Sequence, residues 1–160
     1  NPIELDSQLM GVYQRNTLET VAESLKKLGR KRAVVVNGAG YMDEASLAGE
    51  NHLVLLEDGE ITSFTLHPHE VGLPTYSNKD IQGGDAKENA AILLSVLNNE
   101  ASPYLDTVLL NGGIGFFANG KTSTIQDGIE VARESIASGA ALDRLNELVK
   151  YSKQLTSEAI

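Results

Sequence analysis

The chain has 160 residues, with 13 Lys+Arg against 22 Asp+Glu and so a formal charge of −9; its 41% hydrophobic and 22% charged content fits one compact soluble domain. The acidic balance, with no basic run longer than Arg30-Lys31-Arg32, excludes a nucleic-acid binder, and no apolar stretch of about 18 residues spans a membrane. The absence of cysteine excludes a disulfide scaffold, a cysteine zinc site and a thiol nucleophile.

The amino end is polar from Asn1 to Gln8, unlike a signal peptide. Asn1-Pro2 carries no initiator Met and a strand follows within a few residues, so the chain is expected to be cut from a longer one. Gln8-Leu9-Met10-Gly11-Val12-Tyr13 predicts a buried strand. Asn16 then stands three residues before Glu19 at capping-box spacing, ahead of Leu18, Val21, Ala22, Leu25 and Leu28 on one helical face and a stop at Gly29. Ala33-Val34-Val35-Val36 follows, so strand, helix and strand form a βαβ unit whose strands must be parallel. Its all-apolar second strand suits a position covered on both faces.

Leu53 to Glu57 and Ile61 to Leu66 flank Asp58-Gly59, a strong hairpin signal, which makes the sheet mixed. His67 to Asn78, with Pro68, Gly72 and Pro74, predicts a loop with one helical turn. From Gly83 the chain reads as helical. Asp85 caps a segment carrying Ala90, Ile92, Leu93, Val96 and Leu97, and Pro103 opens the next. Thr124 to Ala137 is a third, and Ser138 is expected to cap the last, with Leu142, Leu145, Leu148 and Val149. The result is one α/β domain with a helical carboxyl half.

Asp43-Glu44 is the leading candidate site. It follows the second parallel strand through Gly38-Ala39-Gly40-Tyr41-Met42, where open α/β sheets bind ligands beyond the carboxyl ends of their strands. Adjacent carboxylates on a tight loop suit a hard cation such as Mg²⁺, and a metal would let so acidic a protein accept a polyphosphate. The competing reading makes Asp43 the cap of a short helix with Glu44 in its first turn.

Gly113, Gly115 and Ala118 fit G-x-G-x-x-A behind Thr107-Val108-Leu109-Leu110, but Asn119-Gly120 interrupts after about one turn, so a buried helix from Pro103 to Ala118 is favoured over a dinucleotide site. Gly83-Gly84-Asp85 suggests a phosphate loop, but a carboxylate at the cap occupies the anion's place. His67-Pro68-His69-Glu70 reads as a surface turn rather than a zinc site, since only His52 remains as a third histidine. The basic residues Lys26 and Lys27 read as the solvated carboxyl end of a helix.

With these segments placed, the chain resembles the carboxyl-terminal half of the anthranilate phosphoribosyltransferases. The resemblance rests on Asn1-Pro2 before Gln8 to Tyr13, Val34-Val35-Val36-Asn37-Gly38 leading to Met42-Asp43-Glu44, Gly72-Leu73-Pro74, Gly83-Gly84-Asp85 with Glu88-Asn89-Ala90, Val108-Leu109-Leu110-Asn111, and Ser138-Gly139-Ala140-Ala141-Leu142. It implies a mixed, partly parallel α/β sheet of the nucleoside phosphorylase/phosphoribosyltransferase-like large domain, of which residues 1–160 form the carboxyl-terminal part without the amino-terminal helical domain. It further implies a cytoplasmic homodimer that transfers phosphoribose from phosphoribosyl pyrophosphate (PRPP) to anthranilate in tryptophan biosynthesis, with Asp43 and Glu44 binding Mg²⁺ at the pyrophosphate.

Two departures stand out: the family usually has His where Asn37 stands, and Ala39 to Met42 differs from its commonest loop. The resemblance places the family's glycine-rich pyrophosphate loop, basic loop and anthranilate-holding arginine upstream of Asn1. This chain alone is therefore expected to be inactive, and monomeric if the dimer surface lies in the helical domain. The alternatives are a pyrimidine-nucleoside phosphorylase-like enzyme and a non-catalytic binding module.

Overall fold

A computed structural model describes residues 5–158, so Asn1-Pro2 lies outside the described residues. Four strands form one mixed sheet in the order β1-β2-β3-β4. β1 (Ser7–Gly11) and β2 (Arg32–Asn37) are parallel and joined by helix α1 (Leu18–Lys27), as a βαβ unit requires. β2 pairs antiparallel with β3 (Asn51–Glu57), and β3 with β4 (Glu60–Leu66). Asp58 and Gly59 turn between the last two with φ of 50° and 82°, the positive values that a tight hairpin needs.

Helices follow the sheet: α2 (Ala86–Leu97), α3 (Pro103–Ala118), α4 (Ile125–Ala137) and α5 (Ala140–Glu158). Strand alternation divides the core in two. Ala33, Val35, Val54 and Leu56 meet Leu18, Ala22 and Leu25 of α1. Val34, Val36 and Leu53 meet Leu109, Leu110 and Ile114 of α3 and Ile129 of α4 on the opposite face. This two-sided burial accounts for the uninterrupted apolar run of β2. Among the described residues no helix is long and apolar enough to cross a membrane.

Several local expectations change. β1 ends at Gly11 rather than Tyr13, although the Val12 amide still donates to the Val36 carbonyl at 2.9 Å. Asn16 is no cap: it lies in a 3₁₀ turn, Arg15–Thr17, and Thr17 occupies the N-cap without a side-chain bond to the helix. Thr17 already has helical backbone angles (φ −95°, ψ −9°), and its hydroxyl donates back to Gln14 O at 2.7 Å. Ser138 closes α4 rather than opening α5, because its amide donates to Glu134 O at 2.9 Å and the chain turns at Gly139, with φ of 80°. Asp85 caps α2 as expected: its carboxylate accepts from the amides of Lys87 and Glu88, each at 2.9 Å.

The segment Thr107 to Ala118 lies wholly within α3, with no strand before the glycines. Those glycines serve packing. A Cβ on Gly128 of α4 would overlap the Gly113 carbonyl, and one on Gly113 would press on Ile129, whereas Gly115 faces open space. Gly128→Ala is therefore expected to destabilise the fold by about 1–3 kcal/mol through overpacking. Gly115→Ala should leave stability unchanged or raise it by about 1 kcal/mol. Thermal unfolding of the two variants checks both values.

Candidate functional site

The loop between β2 and β3 carries Asp43 and Glu44 past the ends of the parallel strands. Gly38 and Met42 exchange two backbone bonds, of 2.8 and 3.2 Å, and pinch off Ala39-Gly40-Tyr41. Gly40 and Tyr41 make this turn with φ of 82° and 62°. Beyond it the backbone lies directly on the strand ends. A Cβ on Gly11 would overlap the Asp43 carbonyl, and one on Gly38 would overlap that of Glu44. Only glycine permits so close an approach.

Asn111, Asn51 and Asn78 fix the loop, and Asn37 fixes the chain beyond β1 beside it. Asn37, 4% exposed, donates from Nδ2 to the carbonyls of Val12 at 2.8 Å and Tyr13 at 3.1 Å. Asn111 of α3 accepts from the Ala45 amide and donates to its carbonyl, both at 2.9 Å. Asn51, fully buried, accepts from the Ser46 amide at 2.6 Å and donates to the Ser46 and Leu66 carbonyls. Asn78 accepts from the Ser46 hydroxyl at 2.6 Å and donates to Ala39 O at 3.0 Å. Nearby, Tyr76 donates its amide to Leu47 O at 3.1 Å, and partial burial beside Asp106 and Asp80 raises its hydroxyl pKa.

Held in this way, the exposed Asp43 and Glu44 line a cavity of about 500 Å³ with Leu9, Gly11, Thr107 and Asn111. No helix begins at Asp43, so the capping reading falls: residues 43–50 form turns that close on Asn51. Among the described residues no three His, Asp or Glu side chains gather as a metal cage. The pair thus offers oxygen ligands only and leaves most of a cation's coordination to water or phosphate, the donor set that suits Mg²⁺.

A second cavity, of about 550 Å³, opens on the α1 face beside Arg15, Glu19, His52 and Ser63. Within it the Ser63 hydroxyl donates to Glu19 at 3.1 Å, and His52 lies 3.5 Å from Glu50 outside it. His67-Pro68-His69-Glu70 forms a 3₁₀ turn, as the sequence suggests, with the Glu70 carboxylate accepting from the His67 amide. The sequence reading missed the roles of Asn37, Asn51 and Asn78. The available signal was a polar amide ending an otherwise apolar strand at Asn37 and another opening one at Asn51.

A mixed sheet flanked by helices, with paired carboxylates beyond its parallel strands, matches a defined class. Residues 1–142 match the model of the glycosyl transferase family, a/b domain, and the chain belongs to that family. Its relatives are more specific. The chain is 58% identical over 158 residues to the anthranilate phosphoribosyltransferase of Listeria monocytogenes serotype 4a (strain HCC23), covering 99% of this chain and 47% of the relative. Over 156 residues it is 55% identical to that of Oceanobacillus iheyensis, covering 98% and 46%.

Among solved structures, anthranilate phosphoribosyltransferase from Thermus thermophilus superposes with a TM-score of 0.83 at 39% identity, over 91% of this chain and 43% of that one. The Saccharomyces cerevisiae enzyme in complex with PRPP and Mg gives 0.80 at 26% identity, over 88% and 41%. The chain spans about half the length of the relatives it matches.

The clamp on Ala45 can be tested alone. Asn111→Ala leaves the amide and the carbonyl of Ala45 without their partner, which is expected to cost about 1–3 kcal/mol. Denaturant unfolding measures the loss, and hydrogen exchange should show the Ala45 amide deprotected while the β2–β3 ladder stays protected.

Proposed function

We propose that the chain is the carboxyl-terminal part of the α/β domain of an anthranilate phosphoribosyltransferase, a cytoplasmic, homodimeric pentosyltransferase of tryptophan biosynthesis. The reaction joins the anthranilate amine to C1 of phosphoribose and releases pyrophosphate. In this reading Asp43 and Glu44 hold Mg²⁺ against the pyrophosphate of PRPP. The reading rests on one observation above all: two neighbouring carboxylates stand beyond the parallel strands on a loop clamped at three points, in a chain 58% identical to such an enzyme.

The chemistry asks little covalent work of this chain. The anthranilate nitrogen attacks as the glycosidic C–O bond breaks, so no side-chain nucleophile is needed. When bound, Mg²⁺ supplies the positive charge that stabilises the departing pyrophosphate. Asp43 and Glu44 provide anionic oxygens for the ion, and at −9 the chain would otherwise repel a polyphosphate. Asn37 reaches Met42 O at 3.5 Å and Asn111 holds Ala45, so the backbone on either side of the carboxylates is fixed before the ligand arrives. The chain spans 47% of such a relative, and in this reading the full reaction belongs to the complete protein.

Anthranilate fluorescence, followed with PRPP and Mg²⁺, tests the reading on the complete gene product, its Asp43→Asn/Glu44→Gln form and this chain. Fluorescence should fall only with the intact enzyme, and the double variant should lose on the order of 10²-fold or more in turnover. Near-normal Mg²⁺-dependent turnover in that variant removes the metal assignment. No decay with any folded form removes the substrate assignment.

A further inference from the structure

The turn after β4 brings two imidazoles together with their planes tilted by 46°. The Nδ1 atoms of His67 and His69 stand 2.5 Å apart, with ring centroids 4.1 Å apart. Only one proton fits between two nitrogens at that separation, so one Nδ1 donates it and the other accepts it. A cation that displaces that proton meets two nitrogen donors on one turn.

The turn beneath them is rigid. The Glu70 carboxylate holds the His67 amide, Pro68 is buried, and the Leu73 amide donates to Pro68 O at 3.0 Å. Val71 and Leu73, immediately beyond, belong to the core that includes Ile125 and Ile129 of α4. The chain reverses at Gly72, whose φ of 72° is in the left-handed region. The His69 side chain is nevertheless exposed, so a cation from solution can reach the pair.

We propose that His67 and His69 form a two-imidazole chelate for a divalent cation of borderline softness, of the zinc class, with water completing its coordination. Imidazole nitrogen selects such ions over Mg²⁺, which prefers oxygen. Two nitrogens on a tetrahedral zinc stand about 3.3 Å apart, so the rings need to part by less than about 1 Å. A rotation of the exposed His69 ring against the half-buried His67 accomplishes this while the anchored backbone stays in place. The excess of carboxylates over the whole chain adds a long-range attraction for the cation. This chelate is a different site from Asp43 and Glu44 and stands whether or not those residues bind Mg²⁺.

Calorimetric titration of the metal-free chain with Zn²⁺ alone, paired with thermal melts, tests the proposal. One equivalent should bind saturably and raise the melting temperature, because an ion that binds only the folded state stabilises it. His69→Gln, which leaves the backbone bonds of the turn in place, should weaken binding on the order of tenfold or more by removing one of the two metal–nitrogen bonds. His67→Gln should do the same, whereas His52→Gln and Asp43→Asn/Glu44→Gln should bind as the parent does. Excess Mg²⁺ should not displace the zinc. The absence of saturable binding at millimolar Zn²⁺, equal affinity in His69→Gln, loss of binding in the Asp43→Asn/Glu44→Gln form, or displacement by Mg²⁺ would each overturn the proposal.

Discussion

The carboxyl ends of β1 and β2 are closed by the buried Asn37 carboxamide, and the arrangement of the neighbouring loops depends on it. A parallel ladder stops abruptly where its strands diverge, leaving carbonyls that must find donors or face a desolvation cost. Asn37 meets this with one nitrogen, whose two hydrogens reach Val12 O and Tyr13 O. A purely apolar residue would fill the space but leave both carbonyls without this donor. The amide sends two bonds from a single atom, at a place where the backbone is already crowded by Gly11 and Gly38.

The opposite end of β2 is fixed by a different interaction. Arg32 pairs with Glu57 across the antiparallel ladder, donates from Nε to Phe117 O at 3.1 Å, and lies 5.0 Å from the centre of the Phe117 ring. It thereby ties the start of β2 to the end of α3. Near the other end of β2, Asn111 of the same helix holds the Ala45 peptide. Sheet and helix are consequently fixed to each other at two separated points. The loop carrying Asp43 and Glu44 inherits its position from this fastening and not from a helix of its own.

Much of the fold was legible because its signals are local. The β-branched run ending at Val36, the Asp58-Gly59 turn and the Asp85 cap each determine structure within a few residues, and each appears where the sequence places it. The errors arise where two local solutions compete. Asn16 has the spacing of a capping box, but a 3₁₀ turn extends the helix backward and removes the extended geometry that a cap requires. Ser138 is displaced because Gly139 adopts the left-handed conformation. On α2, the apolar positions identify a face but not what it meets: Val96 is buried, whereas Leu93 and Leu94 are exposed. The carboxylate pair was visible from its place after a parallel strand. The asparagines that position it were not, because Asn78 and Asn111 meet the loop from 39 and 66 residues away along the chain.

That distribution has a chemical consequence for the carboxylate pair. Two acidic side chains on adjacent residues repel each other, and a loop free to move would separate them. The surrounding carboxamides are neutral, so they restrain the backbone at Ala39, Ala45 and Ser46 without adding charge that would neutralise the acids. A lysine or arginine in the same role would hold the loop equally well but compete with a cation for the carboxylates. Neutral clamps therefore let the loop be rigid and leave its negative charge available to a ligand, and a bound cation would offset the mutual repulsion of the pair.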